Sequence, residues 1–443
     1  MRILLRNRAY RRLFTAQVLA LVGTGLATVA LGLLAYDLAG GRASEVLGTA
    51  LGIKMIAYVA VSPLVGALAD RVSRRLLMVS ADAVRAGVVL LLPFVDQVWQ
   101  VHVLIAVLQA ASAAFTPTFQ AVLPDVLPDE RDYTSALSAS QIAVSMENIA
   151  SPLLAAALLL IVDFHSLFVG TAIGFVCSAV LVVGAVVPAA PRSDRSRFAD
   201  RLVVGVRIFT RTPRLRAVMA LNMVVATCGV ITLVSTVNVV RDLLGGSESD
   251  VALLLAVSGA GTAVTALAVS ALLRDRGERV VMLAGAGVSV GAVAMAFVLA
   301  FWPSWPLAAG AWFAIGCGTA LVVVPVGRVV RSSASPADRP AAFAAQFSLS
   351  HLCWLLTYPL TGWLGSLAGF TTAWGVLLVL VVAASVAAVR LWPRALPQTI
   401  RHGHTEPVDH NHLDAQAVWD GAVWVHTHHI VIDPDHTRWP TPV

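Results

Sequence analysis

Charge is scarce in this chain of 443 residues. Asp, Glu, Lys and Arg together make up 13% of it, and Lys54 is the single lysine. A soluble domain carries roughly 25% charged residues, so the composition argues against a soluble globular protein. The formal net charge of +6 comes from arginines clustered between apolar segments, and we therefore expect no nucleic-acid partner.

Cysteines and nucleotide-binding patterns are also scarce. The four cysteines fall at unrelated spacings inside apolar segments, at Cys177, Cys228, Cys317 and Cys353. They form neither a disulfide framework nor a CxxC zinc pattern, and we expect them to be packing thiols. The chain has no G-x-x-x-x-G-K-[ST] phosphate loop and no H-E-x-x-H motif. These absences disfavour an ATP-driven pump and a metalloenzyme, and we expect no enzymatic activity.

Long apolar runs dominate what is present. Residues of the hydrophobic types make up 58% of the chain, and runs of about 20 residues match a bilayer core of about 30 Å. Lipid offers no hydrogen-bond partner to an open backbone, so such runs must be helices. The sequence predicts an all-α integral membrane protein whose twelve spans lie near 13–35, 47–69, 76–96, 101–123, 135–161, 166–188, 215–240, 250–273, 280–301, 305–330, 341–366 and 370–392.

Arginine clusters predict the orientation of these spans. They precede the first span and follow the second, sixth, eighth and tenth, whereas the opposite loops hold chiefly Arg42 and Arg241. Basic loops stay on the cytoplasmic side. We therefore expect a multi-pass protein of the bacterial cytoplasmic (inner) membrane with both termini in the cytoplasm.

Short motifs repeat at an offset of 205–208 residues. The pairs are Asp70-Arg71 with Asp275-Arg276, Pro117 with Pro325, and Pro152 with Pro359. Three pairs in order indicate a duplicated unit of six helices, an arrangement common among secondary transporters. The predicted divisions are an N-terminal bundle at 1–188, a cytoplasmic linker at 189–214, a C-terminal bundle at 215–392 and a cytoplasmic tail at 393–443.

The loop after the second span, Gly66-Ala-Leu-Ala-Asp70-Arg71-Val-Ser-Arg74-Arg75, resembles the signature loop of the major facilitator superfamily. One family glycine is Ser73 here. The resemblance implies two pseudo-symmetric six-helix bundles that rock around a central site. It also implies that Gly66, Asp70, Arg71 and Arg75 form the cytoplasmic gating loop, and we expect a monomer.

A second stretch, Pro117 to Gln120 with Pro124-Asp125 and Leu127 to Tyr133, resembles one efflux branch of that superfamily. The branch includes nickel- and cobalt-resistance permeases beside exporters of macrolides and siderophores, and several of its metal-resistance members end in a His-rich tail. The resemblance thus implies efflux. The antiporter motif of the fifth span is altered, because Ser151-Pro152-x-x-Ala155 stands where a Gly-Pro-x-x-Gly pattern is usual.

Ionisable residues inside a span are costly and are therefore functional candidates. Lys54 in the second span could face a carboxylate across a cavity or form a structural ion pair. Asp82 and Arg85 in the third span lie three residues apart and share a helix face. A local salt bridge or a transport role would each explain that pair.

Glu147 in the fifth span and His351 in the eleventh are the preferred groups for transport and proton coupling. Burial disfavours the charge of a carboxylate, so Glu147 could carry a proton or bind a dehydrated cation. His351 lies near the same depth by the repeat offset and is equally explained as a hydrogen-bonded core histidine. Further polar residues could line a path, and the resemblance favours Asn222 and Gln109 among them; the set is Gln17, Asp37, Gln109, Gln120, Asn222, Asn238 and Gln346.

Histidines concentrate at the end of the chain. Eight of the eleven lie in the last 42 residues, with Asp and Glu residues among them. Local His-rich tracts are typical of metal binding, and imidazole suits nickel, zinc, copper and iron. The predicted tail ligands are His402, His404, His410, His412, His426, His428, His429 and His436.

Two parts of the tail differ in composition. Residues 393–414 hold Pro, Gly, His and acidic residues, and this composition predicts disorder. The segment near 416–433 has an Asp420-Gly421 turn between apolar residues, which is a β-hairpin pattern. The tail could capture metal, sense it, or carry its histidines incidentally.

These patterns together predict a proton-driven exporter of a divalent transition metal, with nickel first and then cobalt or iron. The metal would be cargo or tail ligand, and no permanently bound cofactor is expected. A macrolide-like or siderophore exporter is the first alternative, and a metal sensor with a partner is the second.

Overall fold

The computed structural model describes residues 7–69, 73–127, 129–185, 197–335, 338–392, 394, 399–404, 418–419, 424–430, 432 and 439. Within this part of the chain the membrane body is helical, as the apolar runs predict. A small sheet follows it near the C-terminus.

The N-terminal half consists of six helices that match the first six predicted spans. The first is capped by Asn7, whose side-chain oxygen accepts a hydrogen bond of 3.0 Å from the Tyr10 backbone N–H. The helices are α1 Arg8–Ala39, α2 Ala43–Ala69, α3 Arg74–Leu91, α4 Val98–Val126, α5 Glu130–Leu158 and α6 His165–Gly184.

The linker contains a helix of its own, α7 Arg197–Arg211. It packs on the first turns of α12, the helix that starts at Arg339. The approach is close at Gly205, where an added Cβ would collide with the Ala341 carbonyl oxygen. The linker therefore packs on the C-terminal half.

The C-terminal half also supplies six spans. Helix α8 begins as Pro213–Val230 and continues to Leu243 through two π-helical stretches. Gly277 (φ 73°) and Gly369 (φ 80°) interrupt two longer runs with a backbone conformation that glycine adopts readily. The remaining helices are α9 at 248–276, α10 at 278–299, α11 Trp305–Arg331, α12 at 339–368 and α13 at 370–391.

Twelve membrane helices are thus present, as predicted. By length and hydropathy, nine stretches of the described chain could cross a membrane, and two of them, Arg8–Tyr58 and Ala341–Leu391, hold two helices each.

In each half, an ion pair joins the start of the third helix to the C-terminal part of the fourth helix. In the N-terminal half the Arg74 guanidinium pairs with Asp125. In the C-terminal half Glu278 pairs with Arg328 at 2.6 Å. The same kind of link in both halves agrees with the predicted internal repeat.

The tail forms a three-stranded antiparallel sheet of order β1-β3-β2, with β1 Thr399–His404, β2 Val418–Trp419 and β3 Trp424–His429. The predicted hairpin is confirmed by the pairing of β2 with β3. The prediction of disorder across 393–414 is wrong for residues 399–404, because β1 gains a full set of partners along β3. A prediction from the composition of one segment cannot detect pairing with a strand that is distant in the sequence.

Candidate functional site

Three ionisable residues that the sequence singles out lie on helices of both halves of the membrane body. Lys54 lies on α2, Glu147 on α5 and His351 on α12. The Lys54 ammonium interacts electrostatically with both the Glu147 carboxyl group and the His351 imidazole. We call Lys54, Glu147 and His351 the central triad; it unites two helices of one half with one of the other.

His351 is oriented by its own helix. Its Nδ1 lies 2.7 Å from the Phe347 carbonyl oxygen, which only accepts hydrogen bonds, so Nδ1 carries the proton and donates. The lone pair is therefore on Nε2, the arrangement that metal-binding histidines usually show. The rings of Phe347 and Tyr58 lie 3.9 Å and 6.0 Å from the imidazole, centroid to centroid, and they restrict its movement.

Glu147 lies at the crossing of α1 and α5. A Cβ added to Gly25 of α1 would lie 3.4 Å from the Glu147 Cγ and would overlap the Ser151 side chain. The absence of a side chain at Gly25 lets the two helices approach there. Pro152 follows inside α5, where its missing N–H weakens the helix and allows it to bend. Glu147 is half-buried at this crossing.

Asp82 and Arg85 form a buried ion pair in the N-terminal half, at 0% and 4% exposure. The Arg85 guanidinium also lies between the Phe115 and Phe175 rings, 4.4 Å and 4.5 Å from their centroids. This enclosure favours the salt-bridge interpretation of the pair. Arg85 interacts electrostatically with Tyr58, and this links the pair indirectly to the central triad.

We expect Arg85→Leu to destabilise the protein by about 3–5 kcal/mol, because it leaves the Asp82 carboxylate buried and unpaired. Thermal unfolding in detergent, followed by size-exclusion chromatography, measures the loss. The double replacement Asp82→Leu with Arg85→Leu should recover most of it, since an apolar pair needs no charge partner. If the double variant folds well yet transports nothing, the pair has a transport role instead.

The predicted gating loop is described only in part. Gly66 lies near the cytoplasmic end of α2, and Arg75 is exposed in the first turn of α3. Asp70 and Arg71 lie outside the described residues. The ion pair of Arg74 with Asp125 joins this loop to α4.

The outer ends of the halves are joined by a polar network that the sequence analysis did not predict. The Tyr36 hydroxyl donates to Asp242 at 2.6 Å, and the Asn238 amide donates to Asp242 at 2.7 Å. The Ser44 hydroxyl donates to the Asn238 side-chain oxygen at 2.7 Å. Arg241 lies over the Tyr36 ring at 5.4 Å. The sequence indicates Asn238 only as a polar residue that could line a path. No spacing rule predicts a contact between α1 and α8, so the network itself could not be predicted.

Close packing of α2 on α12 completes this closure. A Cβ on Gly48 would lie 2.5 Å from the Tyr358 carbonyl oxygen and 3.0 Å from the Gly362 Cα. Together with the network of Tyr36, Ser44, Asn238 and Asp242, this glycine crossing forms what we call the outer seal. On α2 and α12, Lys54 and His351 lie farther into the helices than this closed end, on the side that the sequence predicts to face the cytoplasm.

Other predicted polar residues serve packing within one half. The amides of Asn222 and Gln346 bond reciprocally at 3.2 Å and 3.0 Å, which joins α8 to α12. The four cysteines are free thiols.

One nucleophile-type pattern, Gly287-Val-Ser289-Val-Gly291, is present in the sequence. It lies inside the helix 278–299, where Ser289 is buried. The strand-to-helix turn on which such a nucleophile acts is therefore not formed there.

Metal-binding potential differs between the body and the tail. Where the structure describes side chains, it places no group of three or more His, Cys, Asp or Glu residues to hold a metal ion. The tail histidines at 402, 404, 426, 428 and 429 lie on described strands, whereas His410, His412 and His436 lie outside the described residues.

Comparison with known proteins agrees with this architecture. The family model of the Major Facilitator Superfamily matches residues 13–240 and 219–434. The chain is 27% identical over 213 residues to an uncharacterized MFS-type transporter, YfiS, of Bacillus subtilis (47% of this chain, 51% of the relative). It is 28% identical over 160 residues to macrolide efflux protein A of Streptococcus pyogenes (35% of this chain, 39% of the relative). The chain thus spans about half the length of these relatives, or less.

Solved transporter structures share the fold. The nucleoside transporter NupG superposes with a TM-score of 0.66 at 15% identity, covering 86% of this chain and 98% of NupG. An inward-facing bacterial homolog of the human lysosomal transporter Spinster superposes with a TM-score of 0.68 at 13% identity, covering 87% of this chain and 98% of the homolog. Identities this low establish the fold alone.

Proposed function

The chain belongs to the major facilitator superfamily, and we propose that it is a secondary active exporter of the bacterial cytoplasmic membrane, driven by inward proton flow. It is a multi-pass membrane transporter by family and fold. The finer proposal rests on one observation: the His351 ring of α12 lies 6.0 Å from the Tyr58 ring of α2, one helical turn beyond Lys54, so the two halves face each other beside both residues. Glu147 interacts with the charge of the same lysine. Substrate sites of such transporters lie near mid-membrane where the repeats meet.

Glu147 is the proposed proton carrier of this cycle. The carboxyl group can hold a proton or interact, ionised, with Lys54 and a cationic substrate, so that proton and substrate compete for it. When the proton and the substrate compete for the same carboxyl group, binding of either one releases the other, and this exchanges them across the membrane. Lys54 favours the ionised carboxyl by its positive charge, and this helps Glu147 release its proton when the site faces the cytoplasm.

The proposed cargo is a divalent transition metal, with nickel first and then cobalt or iron. The imidazole Nε2 of His351 and the carboxylate of Glu147 are a donor pair that suits such ions. The His-rich tail is the second support, since it lies on the predicted cytoplasmic side where an exporter collects its cargo. Two donors alone hold a metal weakly, and weak binding suits a site that must release it.

An organic cargo, macrolide-like or a siderophore, is the second candidate. The similarity to macrolide efflux protein A favours it. Lys54 also favours it, because a fixed positive charge beside the site opposes a bare divalent cation. Under this alternative the central triad still couples protons, and the tail is dispensable.

Uptake into everted, respiring membrane vesicles separates the two cargoes. The full-length chain and a chain ending at Pro397 are compared with radiolabelled nickel, cobalt, iron and a macrolide. We expect nickel uptake that a proton uncoupler abolishes, with the truncation raising the KM for nickel without stopping transport. Uptake of the macrolide alone by a folded, inserted protein would overturn the metal cargo and support the organic one.

A further inference from the structure

Helix α8 departs from ordinary α-helical geometry in the part that forms the outer seal. Two π-helical stretches, Ile231–Ser235 and Val239–Leu243, are separated there by a short α-helical segment, Thr236–Asn238. A π-helix is rare, is mostly confined to single turns and is frequent at functional sites. Proline and glycine, which often cause irregular helix geometry, are absent from residues 231–243 of the sequence. The irregular form is therefore not imposed by a helix-breaking residue.

The N-terminal half holds this part of α8 through hydrogen bonds. The Ser44 hydroxyl lies 3.2 Å from the Val234 carbonyl oxygen as well as 2.7 Å from the Asn238 side-chain oxygen, so it can donate to either. The Asn238 amide in turn lies 3.3 Å from the carbonyl oxygens of Gly40 and Gly41. The first π-helical stretch and the segment after it are thus bonded directly to the opposite half.

The C-terminal half holds the same part of α8 through two buried tryptophans. The Trp312 indole of α11 donates to the Thr236 hydroxyl at 2.9 Å, and that hydroxyl donates to the Thr232 carbonyl oxygen one turn back. The Trp374 indole of α13 lies 3.5 Å from the Ser235 hydroxyl. Both indoles are fully buried, where an N–H group without a partner is costly. Hydroxyl groups that bond back to the preceding turn often bend a helix, so Trp312 and Thr236 together favour the irregular form.

Conversion of a π-helical stretch to an α-helix would rotate every residue beyond it. A π-helical turn holds about one residue more than the roughly 3.6 residues of an α-helical turn, and one residue corresponds to about 100° around an α-helix. Asn238 and Asp242 lie beyond the first stretch and would then turn away from their partners in the N-terminal half. Backbone hydrogen bonds form within both kinds of helix, so this exchange keeps the buried backbone groups paired.

We propose that residues 231–243 of α8 are the moving element of the outer seal, closed in the π-helical form and open when the first stretch becomes α-helical. Trp312 is the positioning residue that favours the closed form, and it acts through the Thr236 hydroxyl. A transporter that alternates between two open states must open its outer end once in each cycle, so this segment must change form. The movement depends neither on the cargo nor on the driving ion, and the proposal therefore goes beyond the proposed function.

Distances between spin labels at Asp96 and Trp302, on outer loops of the two halves, test the proposal in the purified full-length protein without substrate. Trp312→Phe keeps an aromatic ring but removes the indole N–H. We expect it to raise the outward-open population about tenfold, the effect of losing one buried hydrogen bond. Thr236→Val should act in the same direction, whereas Thr236→Ser keeps the hydroxyl group and should behave as the parent protein. Equal label distances in Thr236→Ser and Thr236→Val would overturn the proposal.

Thr262→Val is the matched control. The Thr262 hydroxyl lies on α9, 3.3 Å from the Gly316 carbonyl oxygen of α11, so this variant removes an equivalent group in the same half but outside α8. It should leave the label distances unchanged. If Thr262→Val opens the outer end as much as Thr236→Val does, loss of a hydroxyl group elsewhere in this half is sufficient, and the assignment to α8 is wrong.

Deletion of Leu233, inside the first π-helical stretch, tests the change of helix form itself. With one residue fewer, this stretch can become α-helical while the residues on both sides keep their places. We expect the outer end to stay closed, and Trp312→Phe to leave the label distances unchanged in this background. An equal opening by Trp312→Phe with and without Leu233 would overturn the proposal. If the deletion prevents folding, the contrast between Thr236→Ser and Thr236→Val decides. All these distances are measured without transport, so failure of the cargo or coupling proposal does not affect them.

Discussion

Replacing Glu147 by glutamine should abolish proton-driven export and lower its initial rate at least about 100-fold, the typical loss when a proton-transfer group is removed. Glutamine keeps the shape of the side chain but can neither release a proton nor oppose Lys54. Exchange of the substrate should weaken as well, because the neutral amide resembles the protonated carboxyl group, from which the substrate is displaced. Vesicle uptake driven by a pH gradient measures the loss, and exchange of labelled for unlabelled substrate measures what remains.

Asp96→Asn is the control for this experiment. Asp96 is exposed in the loop between α3 and α4, so the same change of charge there should leave both rates unchanged. If Glu147→Gln and the parent protein have equal uptake rates under a pH gradient, Glu147 does not couple proton flow to transport. Exchange at the parent rate together with lost driven uptake would show that Glu147 couples protons without binding the substrate.

Replacing Gly362 by leucine should prevent the outer seal from closing. A Cβ at this position would lie 2.5 Å from the Ser44 carbonyl oxygen and 3.0 Å from the Gly48 Cα, and these backbone atoms cannot rotate away. Overpacking costs about 1–3 kcal/mol, which shifts an equilibrium between two states about 5- to 150-fold. We expect an outward-open population and a comparable fall in transport rate. Spin labels at Asp96 and Trp302, on outer loops of the two halves, report the separation.

Gly365→Leu is the matched control on the same helix. A Cβ added to Gly365 meets no atom within 4 Å, so leucine there should change neither the label distance nor the rate. If Gly362→Leu transports normally with unchanged label distances, the glycine crossing is not part of the gate.

Much of the fold is predictable because lipid leaves few choices. The apolar runs must be helices, so twelve helices are found near the predicted positions of the spans. Glu147, His351 and Lys54 could be named because a charge inside an apolar run stands out. The electrostatic interaction of Lys54 with the other two could not be derived from spacing alone, since it depends on the tertiary packing of the helices.

The outer seal and the tail sheet show where sequence reasoning fails. The bond between Tyr36 and Asp242 joins residues at the ends of α1 and α8, and neither residue stands out beside many other polar loop residues. The composition of β1 predicts disorder, because its polar residues do not reveal a partner strand that lies 20 to 30 positions away. Pairing between distant strands is a tertiary property, and a local pattern cannot report it.

The most direct test of the central claim is proton release on addition of substrate to everted vesicles that hold a pH gradient, followed with a pH-sensitive dye. An antiporter moves substrate into the acidic lumen and protons out, so nickel should collapse the gradient in the parent protein but not in Glu147→Gln. If nickel and the macrolide both leave the gradient unchanged while labelled substrate still enters, transport is not proton antiport. If the gradient collapses equally with Glu147→Gln, the central triad does not carry the proton.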